Sequence, residues 1–140
     1  MIKAACHCGA VRLEAEPAPV RVNDCNCSIC RRYGVLWAYY DRGQVRLVEG
    51  AGQSDVYMWG DRGIVFHRCA TCGCVTHWVR AREPSFIRGV NARMMAALDP
   101  RKVVIERSNN GGGPHRFWTR PDEPVGGGDG RDPPGEADWR

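Results

Sequence analysis

Cys69-Ala70-Thr71-Cys72-Gly73 sets two thiols three residues apart and follows them with a glycine, and Cys6-His7-Cys8-Gly9 repeats the device near the start of the chain. Between them, Cys25-Asn26-Cys27-Ser28-Ile29-Cys30 packs three further thiols into six residues, and Cys74 makes the eighth cysteine. Two explanations compete for such clustering, a disulfide framework and thiolate metal binding. Cysteines one or two residues apart are awkward to bridge to each other but readily present two sulfurs to one ion. Met1-Ile2-Lys3-Ala4-Ala5-Cys6 has no apolar leader core, so a cytoplasmic, reducing location is expected, and disulfides belong mainly to exported chains. Metal binding is therefore the expectation for the cysteine groups.

The glycines distinguish the groups. Gly9 and Gly73 can each take a left-handed conformation that turns backbone N–H groups toward the sulfurs, so Cys6, Cys8, Cys69 and Cys72 form a matched pair of half-sites. Four thiolates are the closed tetrahedral set of a structural zinc. Cys25, Cys27 and Cys30 supply three thiolates with no obvious fourth, the pattern of an open, catalytic or exchangeable zinc; Cys74, His67 and His77 are the candidates to close it. Two zinc ions are expected in all.

Around the cysteines the chain reads as short strands. Runs of alternating or β-branched character recur at Ala10–Glu16, Val20–Asp24, Leu36–Tyr40, Val45–Val48, Asp55–Trp59, Ile64–Arg68, Val75–Arg80 and Val103–Arg107. Turn signals such as Asp41-Arg42-Gly43 and Gly60-Asp61-Arg62-Gly63 separate them, so the spacing predicts an all-β, mainly antiparallel meander. Helix is expected only at Ser28–Tyr33 and at Asn91–Leu98, where Asn91 caps a run that Pro100 must end.

The 140 residues suit one domain, and no apolar run approaches the eighteen or so residues of a membrane span. Glycine and proline crowd the sequence beyond Ser108, leaving His115-Arg116-Phe117-Trp118 as the last apolar anchor. The expected organisation is a domain over 1–118 and an acidic, flexible tail over 119–140. Residues 1–119 hold seventeen basic against ten acidic side chains, a body that favours anions without selecting among them. Nucleic acid is an unlikely partner, because no basic run interleaved with aromatics and no finger helix is present. Cys69-x-x-Cys72 formally matches a redox motif but lacks the βαβ surroundings of one.

Cys6-x-Cys8-Gly9-x-Val11, Cys25-x-Cys27-Ser28-x-Cys30-Arg31 and Cys69-x-x-Cys72-Gly73, in this order, resemble the glutathione-dependent formaldehyde-activating enzyme family, which shares its domain with centromere protein V. The resemblance implies an Mss4-like fold of small β-sheets pinned by two zincs, one on Cys6, Cys8, Cys69 and Cys72 and one on Cys25, Cys27 and Cys30. It also implies a carbon–sulfur lyase that condenses a thiol such as glutathione with formaldehyde or another small aldehyde at the Cys25, Cys27, Cys30 centre. The alternative is a non-catalytic zinc-binding interaction module, with nucleic acid its conceivable partner. Two positions depart from the family pattern: Cys74, and the Asn109-Asn110-Gly111 segment where an Asp-Gly turn is usual.

For the thiol substrate that the resemblance implies, Arg31 and Arg32 are candidates to clamp carboxylates in bidentate fashion, against the alternative of exposed arginines on a short helix. Trp37, Tyr39, Tyr40, Trp59 and Trp78 are expected to fill core rather than line a pocket, as strand aromatics usually do.

Overall fold

The computed structural model of the chain describes residues 1–110; the boundary at 118, the His115–Trp118 anchor and the 119–140 tail lie outside the described residues. Ten strands and one short α-helix form two sheets. The strands are β1 (Ile2–Ala5), β2 (Arg12–Ala15), β3 (Arg21–Cys25), β4 (Trp37–Tyr39), β5 (Val45–Glu49), β6 (Ser54–Tyr57), β7 (Ile64–Cys69), β8 (Val75–Arg80), β9 (Glu83–Asn91) and β10 (Val104–Ser108); the helix α1 is Ser28–Tyr33. The small sheet has the order β1-β2-β5 and the large one β10-β3-β4-β9-β8-β7-β6. All pairings are antiparallel except β10 with β3, which is parallel. No helix of the described residues is long and apolar enough to cross a membrane.

The all-β expectation holds, with three local differences. β1 and β9 escape the alternation test: β1 is Ile-Lys-Ala-Ala, with one β-branched residue, and β9 contains Pro84 and Gly89, both of which read as breakers. Pro84 is tolerated at the beginning of its strand, where a missing N–H leaves no inner ladder position empty. Gly89 is accounted for by its neighbour: a Cβ there would lie 2.0 Å from Trp78 Nε1, so the indole occupies the space above a bare backbone. The expected helix at Asn91–Leu98 is one 3₁₀ turn, Ala92–Met94. Asn91 does cap it, accepting from the Arg93 N–H at 3.2 Å, but its Nδ2 also donates to the Val75 carbonyl at 2.9 Å. The cap thus belongs to the end of β9, and the few residues left before Pro100 are too short a run to hold an α-helix unaided.

Two cores lie on opposite sides of the large sheet. In the first, Ile2, Ala4, Val11, Leu13 and Ala15 of the small sheet pack on Ala38, Tyr40, Val79, Ile87 and Val90. In the second, Val35, Trp37, Phe66 and Val75 pack around Cys25 and Cys30. Strand alternation makes the division: on β4, Ala38 and the following Tyr40 face the first core while Trp37 faces the second.

His67 and His77 stand opposite each other on β7 and β8 with rings stacked at 4.3 Å, and Thr76 Oγ1 lies 2.9 Å from His77 Nδ1. Burial, and secondarily the adjacent His67, lowers the His77 imidazole to about 3. Below the ordinary histidine value near 6.5 the unfolded chain takes up a proton that the folded chain refuses, so stability is complete above that pH and is lost on acidification toward the folded value. Relative to a His77→Gln variant, the wild-type protein is expected to lose about 2 kcal/mol of unfolding free energy between pH 7 and pH 5. Parallel denaturant titrations at the two pH values measure this; identical pH dependence in both proteins would contradict it.

Candidate metal centres and cavity

Each cysteine group is placed by a different local device. Cys6 and Cys8 leave β1 in a turn closed by Gly9 N–H donating to the Cys6 carbonyl at 3.0 Å, and Cys69 to Gly73 leaves β7 in the same way, with Gly73 N–H on the Cys69 carbonyl at 2.8 Å. Gly9 and Gly73 have φ of 78° and 74°, the left-handed conformation that such turns require. The Sγ atoms of Cys6, Cys8, Cys69 and Cys72 all lie within 4.8 Å of one another. Cys6 to Cys8 and Cys8 to Cys69 are 3.6 Å apart. A disulfide needs about 2.05 Å, whereas zinc–sulfur bonds of about 2.3 Å give tetrahedral sulfur–sulfur edges of about 3.8 Å. The donor set fits a tetrahedral ion of that size. Backbone N–H groups supply the matching electrostatics: the Cys74 N–H foremost brings Cys72 down to about 5, and the Cys72 N–H foremost lowers Cys69.

Cys25 ends β3, Cys27 caps α1 and Cys30 lies within it, so a strand end and one helical turn aim three sulfurs at one point. These sulfurs also lie within 4.8 Å of one another. Cys74, His67 and His77 do not join them. Cys74 instead hydrogen-bonds Cys72 and packs against the first core, while the two histidines stack in the sheet. Hydrogen bonds from the Cys27 and Cys30 thiols, with smaller help from the Cys27 N–H and Asn110, draw Cys25 down to about 2. The same coupling raises Cys27 and Cys30, each through Cys25 first. A dication binds these sulfurs as thiolates, so loading it expels thiol protons and metal affinity falls as pH falls.

These sulfurs open into a cavity of about 700 Å³. Ile29, Trp37, Trp59, Ile64, Phe66 and Trp78 wall it, with Tyr39, Asp61 and Asn110 as its polar lining. Of the aromatics expected in core, Tyr40 is solely that; Trp37, Trp59 and Trp78 both pack in or against the second core and line the cavity, and Tyr39 lines the cavity alone. The reason is register: Phe66, Trp78, Gly89 and Tyr39 fall opposite one another across β7, β8, β9 and β4 and form an aromatic floor. Asn110 carries no motif, yet its Nδ2 donates to Cys25 Sγ at 3.4 Å. Asn26 N–H donates to the Ser108 carbonyl and Asn26 Nδ2 to Asn109 Oδ1, tying the cysteine loop to the end of β10. Trp37 Nε1 donates to Cys30 Sγ at 3.2 Å. Arg31 and Arg32 are not in the cavity lining. Arg32 lines a neighbouring groove with Arg68, and its Nη1 donates to the Ser28 carbonyl at 2.9 Å.

A family model described as glutathione-dependent formaldehyde-activating enzyme matches residues 1–106. A Rhodobacter sphaeroides protein of known crystal structure is similar at 35% identity and a TM-score of 0.62, over 74% of this chain and 99% of that one.

The aromatic floor depends on Gly89. Gly89→Ala places a methyl group inside the Trp78 indole. It is expected to destabilise the fold by about 1–3 kcal/mol and to shift the tryptophan emission as Trp78 is pushed off the cavity floor. Denaturant unfolding and fluorescence of the variant measure both; unchanged values would contradict the packing described.

Proposed function

Because the chain belongs to the glutathione-dependent formaldehyde-activating enzyme family, we propose that it joins a thiol such as glutathione to formaldehyde or a comparable small aldehyde in the cavity above Cys25, Cys27 and Cys30. The product is an S-hydroxyalkyl adduct, formally a carbon–sulfur lyase reaction run toward bond formation. The observation that carries this is the three-sulfur set opening into an aromatic-walled cavity, separate from a four-sulfur set that is complete in itself.

Zinc is the metal proposed for both sets, closed by Cys6, Cys8, Cys69 and Cys72 in the first and held by Cys25, Cys27 and Cys30 in the second, where it supplies deprotonation of a thiol that joins it. The chain's own groups prepare that place. Trp37 Nε1, the Cys27 N–H and Asn110 Nδ2 donate to the sulfurs and disperse their negative charge, which three adjacent thiolates would otherwise concentrate. The apolar walls exclude water and confine a small aldehyde beside the sulfur nucleophile, so proximity rather than a strong base provides the rate gain. Ile29 and Trp59 line both the cavity and the groove of Arg32 and Arg68, from which Arg32 is proposed to meet a carboxylate of the thiol; Arg31 lines neither. A module without turnover would account for the four-sulfur set but leaves the cavity over the other three sulfurs without a purpose.

Reduced glutathione titrated into zinc-loaded protein at millimolar concentration is expected to shift the amide signals of residues 25–32 and of Trp37. A Cys25→Ser/Cys27→Ser variant should show neither these shifts nor acceleration of the hydroxymethyl adduct, followed by carbon NMR of labelled formaldehyde. Wild-type protein with no shift and no acceleration would contradict the proposal.

A further inference from the structure

Tyr39 is the last residue of β4 and lines the cavity. Its position is fixed by the bare backbone of Gly89, which stands opposite both Tyr39 and Trp78. With no side chain between them, the two rings meet edge to face over Gly89, at 6.2 Å and 75°. The hydroxyl is held as well: Asn23 Nδ2, from β3, donates to Tyr39 Oη at 2.8 Å. That bond fills an acceptor position on the phenol oxygen and leaves the phenolic hydrogen without an acceptor among the described residues. Tyr39 is 52% exposed at the cavity mouth, and a phenol, with an ordinary value near 10 that partial desolvation raises, is protonated at neutral pH. Asp61, the carboxylate in the lining, is occupied in its own turn, accepting from the Gly63 N–H at 2.9 Å. Tyr39 is thus a neutral O–H donor in the cavity with its hydrogen uncommitted.

We propose that Tyr39 donates this hydrogen to the carbonyl oxygen of the aldehyde, and that Asn23 positions it to do so. The inference rests on the condensation proposed above. As the thiol sulfur forms its bond to the carbonyl carbon, the π pair moves to oxygen, and negative charge develops there. A fixed donor stabilises that charge where it appears, and proton transfer from Oη yields the hydroxyl group of the adduct. The phenolate then regains, through solvent at the cavity mouth, the proton that the thiol released. Thiol and aldehyde give the S-hydroxyalkyl adduct with no atom or electron gained or lost. In the reverse direction the hydroxyl proton returns to Tyr39 as the carbon–sulfur bond breaks.

Tyr39→Phe keeps the ring against Trp78 and removes only the donor; Tyr40→Phe, the next residue, which faces the first core, serves as the control. With zinc-loaded proteins, Tyr39→Phe is expected to lower kcat/KM for adduct formation from glutathione and formaldehyde by about 10–100-fold, with Tyr40→Phe near wild type. A second readout needs no turnover. S-carbamoylglutathione carries an oxygen on the carbon bonded to sulfur and S-ethylglutathione does not; the wild type should bind the first about 10-fold tighter than Tyr39→Phe does, while both bind the second equally. Wild-type catalysis with equal rates and equal preferences in Tyr39→Phe would overturn the role of Tyr39 and leave the condensation standing. Absence of both catalysis and ligand binding in the wild type would overturn the condensation and Tyr39's role together.

Discussion

Four sulfur atoms, two from the end of each sheet, converge on one point. Cys6 and Cys8 hang from the end of β1 in the small sheet and Cys69 and Cys72 from the end of β7 in the large one, so residues far apart in sequence meet at one point. A closed four-thiolate zinc site contributes about 10–16 kcal/mol of apparent binding free energy, as much as the whole net stability of a small domain. The hydrophobic contact between the sheets combines Ile2, Leu13, Val79, Ile87 and Val90 with the small side chains Ala4, Ala15 and Ala38. A metal held by the four sulfurs would add a cross-link at the sheet ends to that packing.

The opposite face of the large sheet is free for chemistry because that stabilisation lies elsewhere. Alternation along β4 and into the following Tyr40 sends Ala38 and Tyr40 inward and Trp37 and Tyr39 toward the three-cysteine loop. Gly89 then lets Trp78 lie flat, and the aromatic row becomes the floor of a cavity instead of a second packed layer. Gly89, at one register position, leaves the room that the Trp78 indole occupies on that floor. The cysteine loop is braced from both sides, by Trp37 from beneath and by Asn109 and Asn110 at the far end of the chain's last described strand.

Much of this was legible in the sequence, and the boundary has physical causes. The cysteine pairing could be read because glycine after each matched pair announces a specific backbone conformation. Most strands could be read because half-buried strands alternate. β9 could not: Pro84 and Gly89 are breakers by local rule, and only the facing Trp78, distant in sequence until β8 and β9 pair, turns Gly89 from a defect into a fit. The role of Asn110 was illegible for a similar reason, since the parallel pairing of β10 with β3, which carries it to Cys25, has no local signal. The same limit applies to the aromatics, whose residue types specify burial but not whether burial is against protein or around a cavity. Arg31 and Arg32 adjoin Cys30 in sequence, yet helical geometry turns them away from the cavity that Cys30 faces.

The central claim is that sulfur–metal bonds at the two clusters, and foremost at Cys6, Cys8, Cys69 and Cys72, hold the protein in its folded form. Metal content of freshly purified, reduced protein, followed together with its amide NMR spectrum as a strong chelator is added, tests this most directly. One zinc ion per cluster is predicted, with the ion at Cys25, Cys27 and Cys30 leaving first and the dispersed spectrum collapsing when the ion at the four-cysteine set is removed. A reduced, metal-free protein that retains its full spectral dispersion would contradict the account.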